Sequence, residues 1–487
     1  MNRLICVLAV FCGVLFLALL LNANYVQFVG AEDLNDQQGN RRVIDEEFSR
    51  ERGPILVRGR EIARSEPSDD EYEYQRAYTQ TKLYAHITGF YSYLYGATDV
   101  EATANSVLSG SDERLFVNRV VDLVGSQQPS GGSVQLTIDP EAQQAALAGL
   151  EDLEGDPRGA VVALDPSTGA VLAMVSQPTY NPNELATHDL DRAEAAYKEL
   201  NQSQEERLLD RSRENIYFPG STFKLVTAAA ALESGEFRPD SQVPTGPTLQ
   251  LPQTDNVLTN DVDTCDAQSQ GTLTFALANS CNVSFGAVGL ELGNDALLEQ
   301  AEAFGFNDPS YMDDLRMVPS TYPDDAEGPF VAFNAIGQFD VAATPLQMAM
   351  VSAGIANDGD VMKPYVIDEI RSPDLDVLER TDPEELNEAV SSETAEQLTQ
   401  MMVTTVDQGT ADEAAIEGIE VAAKTGTAER SETLPPYAWF VSFAPADDPQ
   451  VAVAVFVENA DVPRSAISGG GLAGPIAQRV MQAVIDQ

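Results

Sequence analysis

Five strand-like runs stand at two distant places in this chain, and they restrict its fold more than any other feature. "GAVVALDPSTGAVLAMVSQP" (159–178) reads as two strands around a "DPSTG" turn, a hairpin. "EVAAKTGTAER", "AWFVSFAPA" and "QVAVAVFVEN", near the C-terminus, read as three consecutive strands, followed by a closing helix, "GPIAQRVMQAVIDQ". Helical signals accompany them: "DPEAQQAALAGLEDL" before the hairpin, and the alanine-rich "STFKLVTAAAALESG", stopped by Gly235, between the two groups. Strands at both ends with helices between them predict one antiparallel sheet whose outer strands come from distant sequence, in an α+β sandwich.

A chain of 487 residues has room for more than one domain. It opens with Met1-Asn2-Arg3 and an uncharged apolar run from Leu4 to Leu21, long enough to span a bilayer with help from its flank. A cleaved signal peptide is the alternative, but "LLLNANYVQ" lacks a small-x-small cleavage site. Phe11 directly before Cys12, with little apolar chain ahead of it, argues against lipid attachment there. Arg3 alone puts the short N-terminus in the cytoplasm and the bulk outside. "VGSQQPSGGSVQLTIDP" is a linker running into a strand, "VQLTI". The expected division is therefore an anchor over 1–24, a small mixed α/β domain over 25–134, and the main domain over 135–487.

Charge removes one class of partner. The chain has 28 basic against 77 acidic side chains, a net charge of −49, which repels phosphate backbones, so no nucleic-acid partner is expected. The acids are spread along the chain and read as a solvated surface, which suits a saline habitat, with a merely acidic exported protein as the alternative.

The residues that carry chemistry lie in three short sequences. In "YFPGSTFKLV", Ser221 begins a helix after a Pro-Gly turn and Lys224 follows three residues later. One helical turn brings both side chains to the same face, so the amine can reach the hydroxyl. A helix start also offers N–H groups to a developing oxyanion. The lysine must be neutral to act as a base, which burial favours. In Ser280-Cys281-Asn282, an extended or loop backbone would place Ser280 and Asn282 on one face and turn Cys281 away. Ser280 could then relay a proton and Asn282 bind a substrate amide. In "AKTGTAE", Lys424 is followed by Thr425 and, after Gly426, by Thr427 on the same strand face, a lysine with two hydroxyls suited to a carboxylate. Gly426 allows another backbone to approach closely.

Each sequence is weak alone. In this order and local context they are the signature of the penicillin-recognising serine enzymes. The chain resembles the class B penicillin-binding proteins, the D,D-transpeptidases, over nearly its whole length, and looks most like the membrane-anchored actinobacterial ones. The likeness includes the N-terminal anchor, Arg52-Gly53-Pro54-Ile55, "GGSVQLTID", "GAVVALDPSTGAVLAMVS" and "GQFDVAATPLQMAM". It implies a β-lactamase/transpeptidase-like α+β domain: a five-stranded antiparallel sheet with flanking helices, an all-helical subdomain beside it and the active site between. A pedestal or dimerisation-type domain would precede it.

By that resemblance Ser221 attacks the carbonyl between the two terminal D-alanines of a peptidoglycan stem peptide, and Lys224 takes its proton. Ser280 passes a proton to the leaving D-alanine while Lys424 keeps the local potential positive. Thr425 and Thr427 bind the terminal carboxylate, Asn282 holds the substrate amide, and the N–H groups of Ser221 and Thr427 form the oxyanion hole. An amine from a neighbouring stem peptide resolves the acyl-enzyme, and β-lactams acylate Ser221 in the same way. No metal or cofactor is implied. A polytopic glycan polymerase and proteins of the division or elongation machinery are implied partners, because the region before the linker is too short for a fused glycosyltransferase.

Other readings are weighed against this one. A D,D-carboxypeptidase shares these motifs. A class D-like β-lactamase normally has an apolar third residue where Asn282 stands, and needs no anchor or first domain. A non-catalytic scaffold or β-lactam sensor of the same fold is the reading from another class. His86 and His188 read as surface or packing residues, which disfavours a Ser-His-Asp triad and a zinc site. Trp439 and the tyrosines of the first domain read as packing before sugar stacking. Phe339, in "GQFD", departs from the glycine common in the family. With Cys6 and Cys12 in the anchor, Cys265 and Cys281 remain for an oxidising compartment. They are expected to form a disulfide, with two free thiols as the alternative.

Overall fold

A computed structural model describes residues 2–26, 45, 47–70, 72–115, 130–431 and 433–487. Residues 27–44, and 124–129 of the predicted linker, lie outside the described residues. The first helix, α1 (Asn2–Asn24), contains a twenty-residue apolar stretch, Ile5–Asn24, with mean hydropathy 2.8 and, among the described residues, none of it buried. At about 1.5 Å per residue its length matches the hydrocarbon core of a bilayer.

The first domain opens with strands β1 (Ile55–Val57) and β2 (Arg60–Pro67), paired antiparallel. They are joined through Arg58 and Gly59, both at positive φ (45° and 72°), as a two-residue hairpin turn requires. Strand β3 (Tyr74–Tyr78) continues the meander. Beneath it, Glu101 is fully buried between Arg52 and Arg76, each 2.6 Å away, and also accepts from the Tyr78 hydroxyl (3.1 Å). A carboxylate so deep is tolerable only with this full set of partners.

Strand β4 (Ser133–Leu136) is the "VQLTI" of the linker's end. It is followed by helix α2 (Pro140–Glu151), capped by the Asp139 carboxylate, and by the hairpin of β5 (Arg158–Leu164) and β6 (Val171–Gln177). Much later come β7 (Ile367–Arg371) and β8 (Val377–Arg380), then β9 (Ala422–Ala428), β10 (Tyr437–Ala444) and β11 (Val451–Asn459). The first sheet runs β8-β7-β4-β1-β2-β3. The division at 134/135 thus passes through β4, which pairs with β1 on one side and with β7 on the other.

The second sheet runs β9-β10-β11-β5-β6, antiparallel throughout, with the hairpin from 158–177 beside the C-terminal strands as the sequence predicts. Val451–Glu458 of β11 are all buried, so both faces of the sheet are covered. Helices α2 and α7 (Gly474–Ile485) pack on each other and on the sheet; α5 (Pro345–Ala356) and α6 (Ser392–Gln408) pack on it as well. Beside it, helices α3 (Lys224–Glu233) and α4 (Asn282–Leu292) lie in the mostly helical part of the domain. That part, all-helical by the resemblance, also carries short ribbons, Thr248–Gln250 with Val257–Thr259 and Gln242–Pro244 with Gln270–Thr272. Turn-rich stretches such as "LPQTDN" close them.

Candidate active site

Ser221 sits in a single 3-10 turn, Gly220–Phe223, that runs directly into α3. The turn is pinned on several sides. Trp439 Nε1, fully buried on β10, donates to Phe218 O (3.0 Å), and Gly220 N donates to Gly337 O (2.9 Å). Gly220 has φ +53°, and a Cβ there would lie 2.9 Å from Ala428 Cβ and 3.0 Å from Thr427 O on β9. The glycine before the serine lets the turn sit against the strand edge.

Lys224 is fully buried. Its amine donates to Ser280 O (2.7 Å), Asn282 Oδ1 (2.7 Å) and, more weakly, Ser280 Oγ (3.3 Å). Phe285 presents its ring 5.8 Å from the amine. Burial pushes the Lys224 amine down to about 7, against an upward pull from Asp261. Lys424, also fully buried, donates to the same Ser280 Oγ (2.9 Å) and to Thr425 O (2.9 Å). Burial, and Lys224 beside it, push Lys424 well below the ordinary lysine range. Two buried amines on one hydroxyl cannot both be charged cheaply.

Ser280 is not in an extended segment. Its φ is +58°, Cys281 is the N-cap of α4, and Asn282 is that helix's first residue. The predicted outcome survives by another route: Ser280 and Asn282 both face Lys224, while Cys281 turns away and bonds to Cys265, with a Cα–Cα distance of 5.6 Å. The expected disulfide is present.

Ser221, Ser280, Thr425 and Thr427 line one cavity of about 550 Å³. Gly426, between the two threonines, meets the serine's turn: a Cβ there would lie 2.9 Å from Thr222 Cγ2 and 3.1 Å from Pro219 O. Volume alone does not identify the site, since a cavity of about 600 Å³ beside Glu151, Arg158, Gln177 and Arg207 holds no such set. Several lining residues went unnoticed in the sequence. Thr410 Oγ1 hydrogen-bonds Thr425 Oγ1 (2.6 Å), and Asp261, Asp412 and Glu413 stand around the rim. So does the loop Ser468–Gly471, whose Gly469 backs the K-T-G strand: a Cβ there would meet Trp439 O at 2.1 Å and Gly426 O at 2.6 Å. The triple glycine at 469–471 was the readable signal for that loop.

The residues read as packing do pack. His86 is buried against Tyr180, and His188 pairs with Asp70 (2.5 Å) beside Tyr72. Phe339 has φ +68°, a backbone that suits glycine, which accounts for the glycine common in the family. Here its exposed ring stacks on Phe330, with centroids 4.4 Å apart and planes 18° apart.

A cavity-lining serine three residues before a buried lysine of lowered pKa, a second serine hydroxyl shared by two buried amines and two threonine hydroxyls on one cavity form a set suited to acyl transfer. Comparison with known proteins agrees. Residues 159–482 match the penicillin binding protein transpeptidase domain, and 52–134 match the penicillin binding protein A dimerisation domain. The chain is 42% identical, over all of its length and 99% of the relative's, to the peptidoglycan D,D-transpeptidase PbpA of Mycolicibacterium smegmatis. It is similar to the structure of penicillin-binding protein A from M. tuberculosis in its ceftriaxone acyl-enzyme complex, at TM-score 0.87 and 38% identity, covering 91% of this chain and 100% of that one. It is also similar to the D,D-transpeptidase domain of a peptidoglycan glycosyltransferase from Eggerthella lenta, at TM-score 0.77 and 32% identity, covering 90% and 99%. The chain belongs to the penicillin-binding protein transpeptidase family.

Proposed function

We propose that this protein is a serine-type peptidoglycan D,D-transpeptidase, acylated on Ser221 by a D-Ala-D-Ala terminus and, in its place, by β-lactams. The observation that carries the reading is Ser221 sharing a cavity with Ser280, the hydroxyl that two buried lysines, Lys224 and Lys424, both reach. Lys224 accepts the Ser221 proton as the oxygen attacks, and the N–H groups of Ser221 and Thr427 take the developing oxyanion. Ser280, fed by the lysine pair, returns a proton to the departing D-alanine amine. Thr425 and Thr427 hold the terminal carboxylate, and Asn282 the substrate amide. An amine from a second stem peptide then attacks the ester, forming the cross-link and freeing Ser221. The name of the M. smegmatis relative supports transfer over simple hydrolysis.

Helix α1 anchors the chain in the membrane, with the catalytic domain outside; the Cys265–Cys281 bond supports an oxidising compartment. A polytopic glycan polymerase and division or elongation proteins are its expected partners. The test is mass spectrometry of the full-length chain in detergent with a penicillin, then with a D-Ala-D-Ala peptide with and without an amine acceptor. The expected results are one penicillin adduct that disappears in Ser221→Ala, and a transfer product with the acceptor. No adduct on the unaltered chain refutes the assignment; hydrolysis alone with the acceptor present refutes transpeptidation.

A further inference from the structure

Three consecutive residues, from the end of the strand Val257–Thr259 into the loop after it, grip Asn282 and the residue that follows it. Asn282 Nδ2 donates to Asp261 Oδ2 (3.0 Å) and to Thr259 O (3.2 Å), and Val283 N donates to Asn260 Oδ1 (3.0 Å). The Cys265–Cys281 bond closes the chain between this loop and Asn282, holding the two together. An amide side chain has two ends of similar size and opposite character. With both Nδ2 protons directed at oxygen acceptors, Oδ1 is left to face the Lys224 amine at 2.7 Å. The reversed amide would set oxygen against a carboxylate and NH₂ against an amine.

We infer that Asp261 is a positioning residue for the acyl transfer: it holds the Asn282 amide with its oxygen on Lys224 and sets a negative charge one side chain away from the lysine pair. The inference rests on Ser221 being the acylated residue. The groups facing Lys224 are Lys424 from β9, Ser280 and Asn282 from the S-x-N sequence, the Phe285 ring from α4 and Asp261 across Asn282. Asp412, Glu413 and Glu429 line the same cavity but, among the described residues, make no hydrogen bond or ion pair to either amine; Glu429 is paired with Arg464. Asp261 is the carboxylate that pulls Lys224 upward.

The test follows acylation of the full-length chain in detergent by a fluorescent penicillin, from about pH 5 to 9, with melting temperature as the check on folding. Asp261→Ala is expected to slow acylation about tenfold, the loss of one hydrogen bond to a charged group. If Asp261 acts through Asn282, adding Asp261→Ala to Asn282→Ala costs nothing more. Asp261→Asn keeps an acceptor for Nδ2 and loses the charge. Its rate above neutrality stays near wild type, while the acid limb moves to lower pH by roughly half a unit, the size for an opposite charge partly screened by water. Additive losses in the double variant overturn the inference. So does an unmoved limb in Asp261→Asn, which decides the matter if Asp261→Ala fails to fold. If the unaltered chain takes no label, the acyl-transfer reading falls and this inference with it; if it labels and the Asp261 variants match it throughout, this inference alone falls.

Discussion

The role of base proposed for Lys224 rests on where it is buried. Desolvation makes the ammonium costly, and its pKa of about 7 leaves a useful fraction neutral near physiological pH. On the proposal that the neutral amine accepts the Ser221 proton, acylation should fall as pH drops through 7, by about tenfold per unit well below it. The second-order rate of penicillin acylation across pH tests this. Lys224→Arg keeps a charge that cannot be shed and should lose at least about a hundredfold at every pH. A flat profile through neutrality would remove Lys224 from the role of base. Residues of this kind were legible because the chemistry fixes both their type and their spacing. Asp261 and Thr410 were not, since each reaches the cavity from a loop whose local sequence resembles any polar turn. Ser280 illustrates a third case. Its place beside the lysines could be read, but its left-handed backbone could not, because serine gives no sign of positive φ as glycine or asparagine does.

The disulfide belongs to the scale of elements, because it ties the loop carrying residues 259–261 to the start of α4. Its sixteen-residue separation gives an expected contribution of about 3 kcal/mol through restriction of the unfolded chain. The double variant Cys265→Ser/Cys281→Ser should lose about that much in denaturant unfolding. It should also acylate more slowly while still folded, since the grip on Asn282 loosens. Thiol titration of the unreduced, denatured chain should find two thiols, Cys6 and Cys12, and four after reduction. An unchanged acylation rate in the folded double variant would confine the bond to stability. At this scale β5, β6, β10 and β11 declared themselves, because their largely hydrophobic runs fit a sheet covered on both faces, whereas β9 was legible through its K-T-G sequence. The three-residue ribbons at 248–259 are too short to show a period. The union of β4 with β1 and β7 joins segments far apart in the chain, Ile55 to Val134 on one side and Leu136 to Ile367 on the other, which no local pattern encodes.

For the molecule as a whole, the net charge of −49 is a property of the surface more than of the site. The buried charges are largely matched, as in Arg52–Glu101–Arg76 and in Arg213 with Asp99 and Asp210, so the excess acid faces solvent. There it repels itself in the compact state more than in the expanded unfolded chain, and folding bears that cost at low salt. Salt shortens the reach of the repulsion from about 10 Å at 0.1 M to about 3 Å at 1 M. Buried pairs are screened much less, so salt relieves the surface repulsion while largely sparing the interior. The melting temperature should therefore rise by several degrees between low and molar sodium chloride. Chloride is the better choice for this measurement, because sulfate would also strengthen apolar burial through its exclusion from the protein surface. The lysine pair is shielded in the same way, so penicillin acylation at fixed pH should change far less over that range than the melting temperature does. A melting temperature that stays level or falls would mean that the acids already hold one another apart at little cost, and would remove the case for a surface adapted to saline conditions.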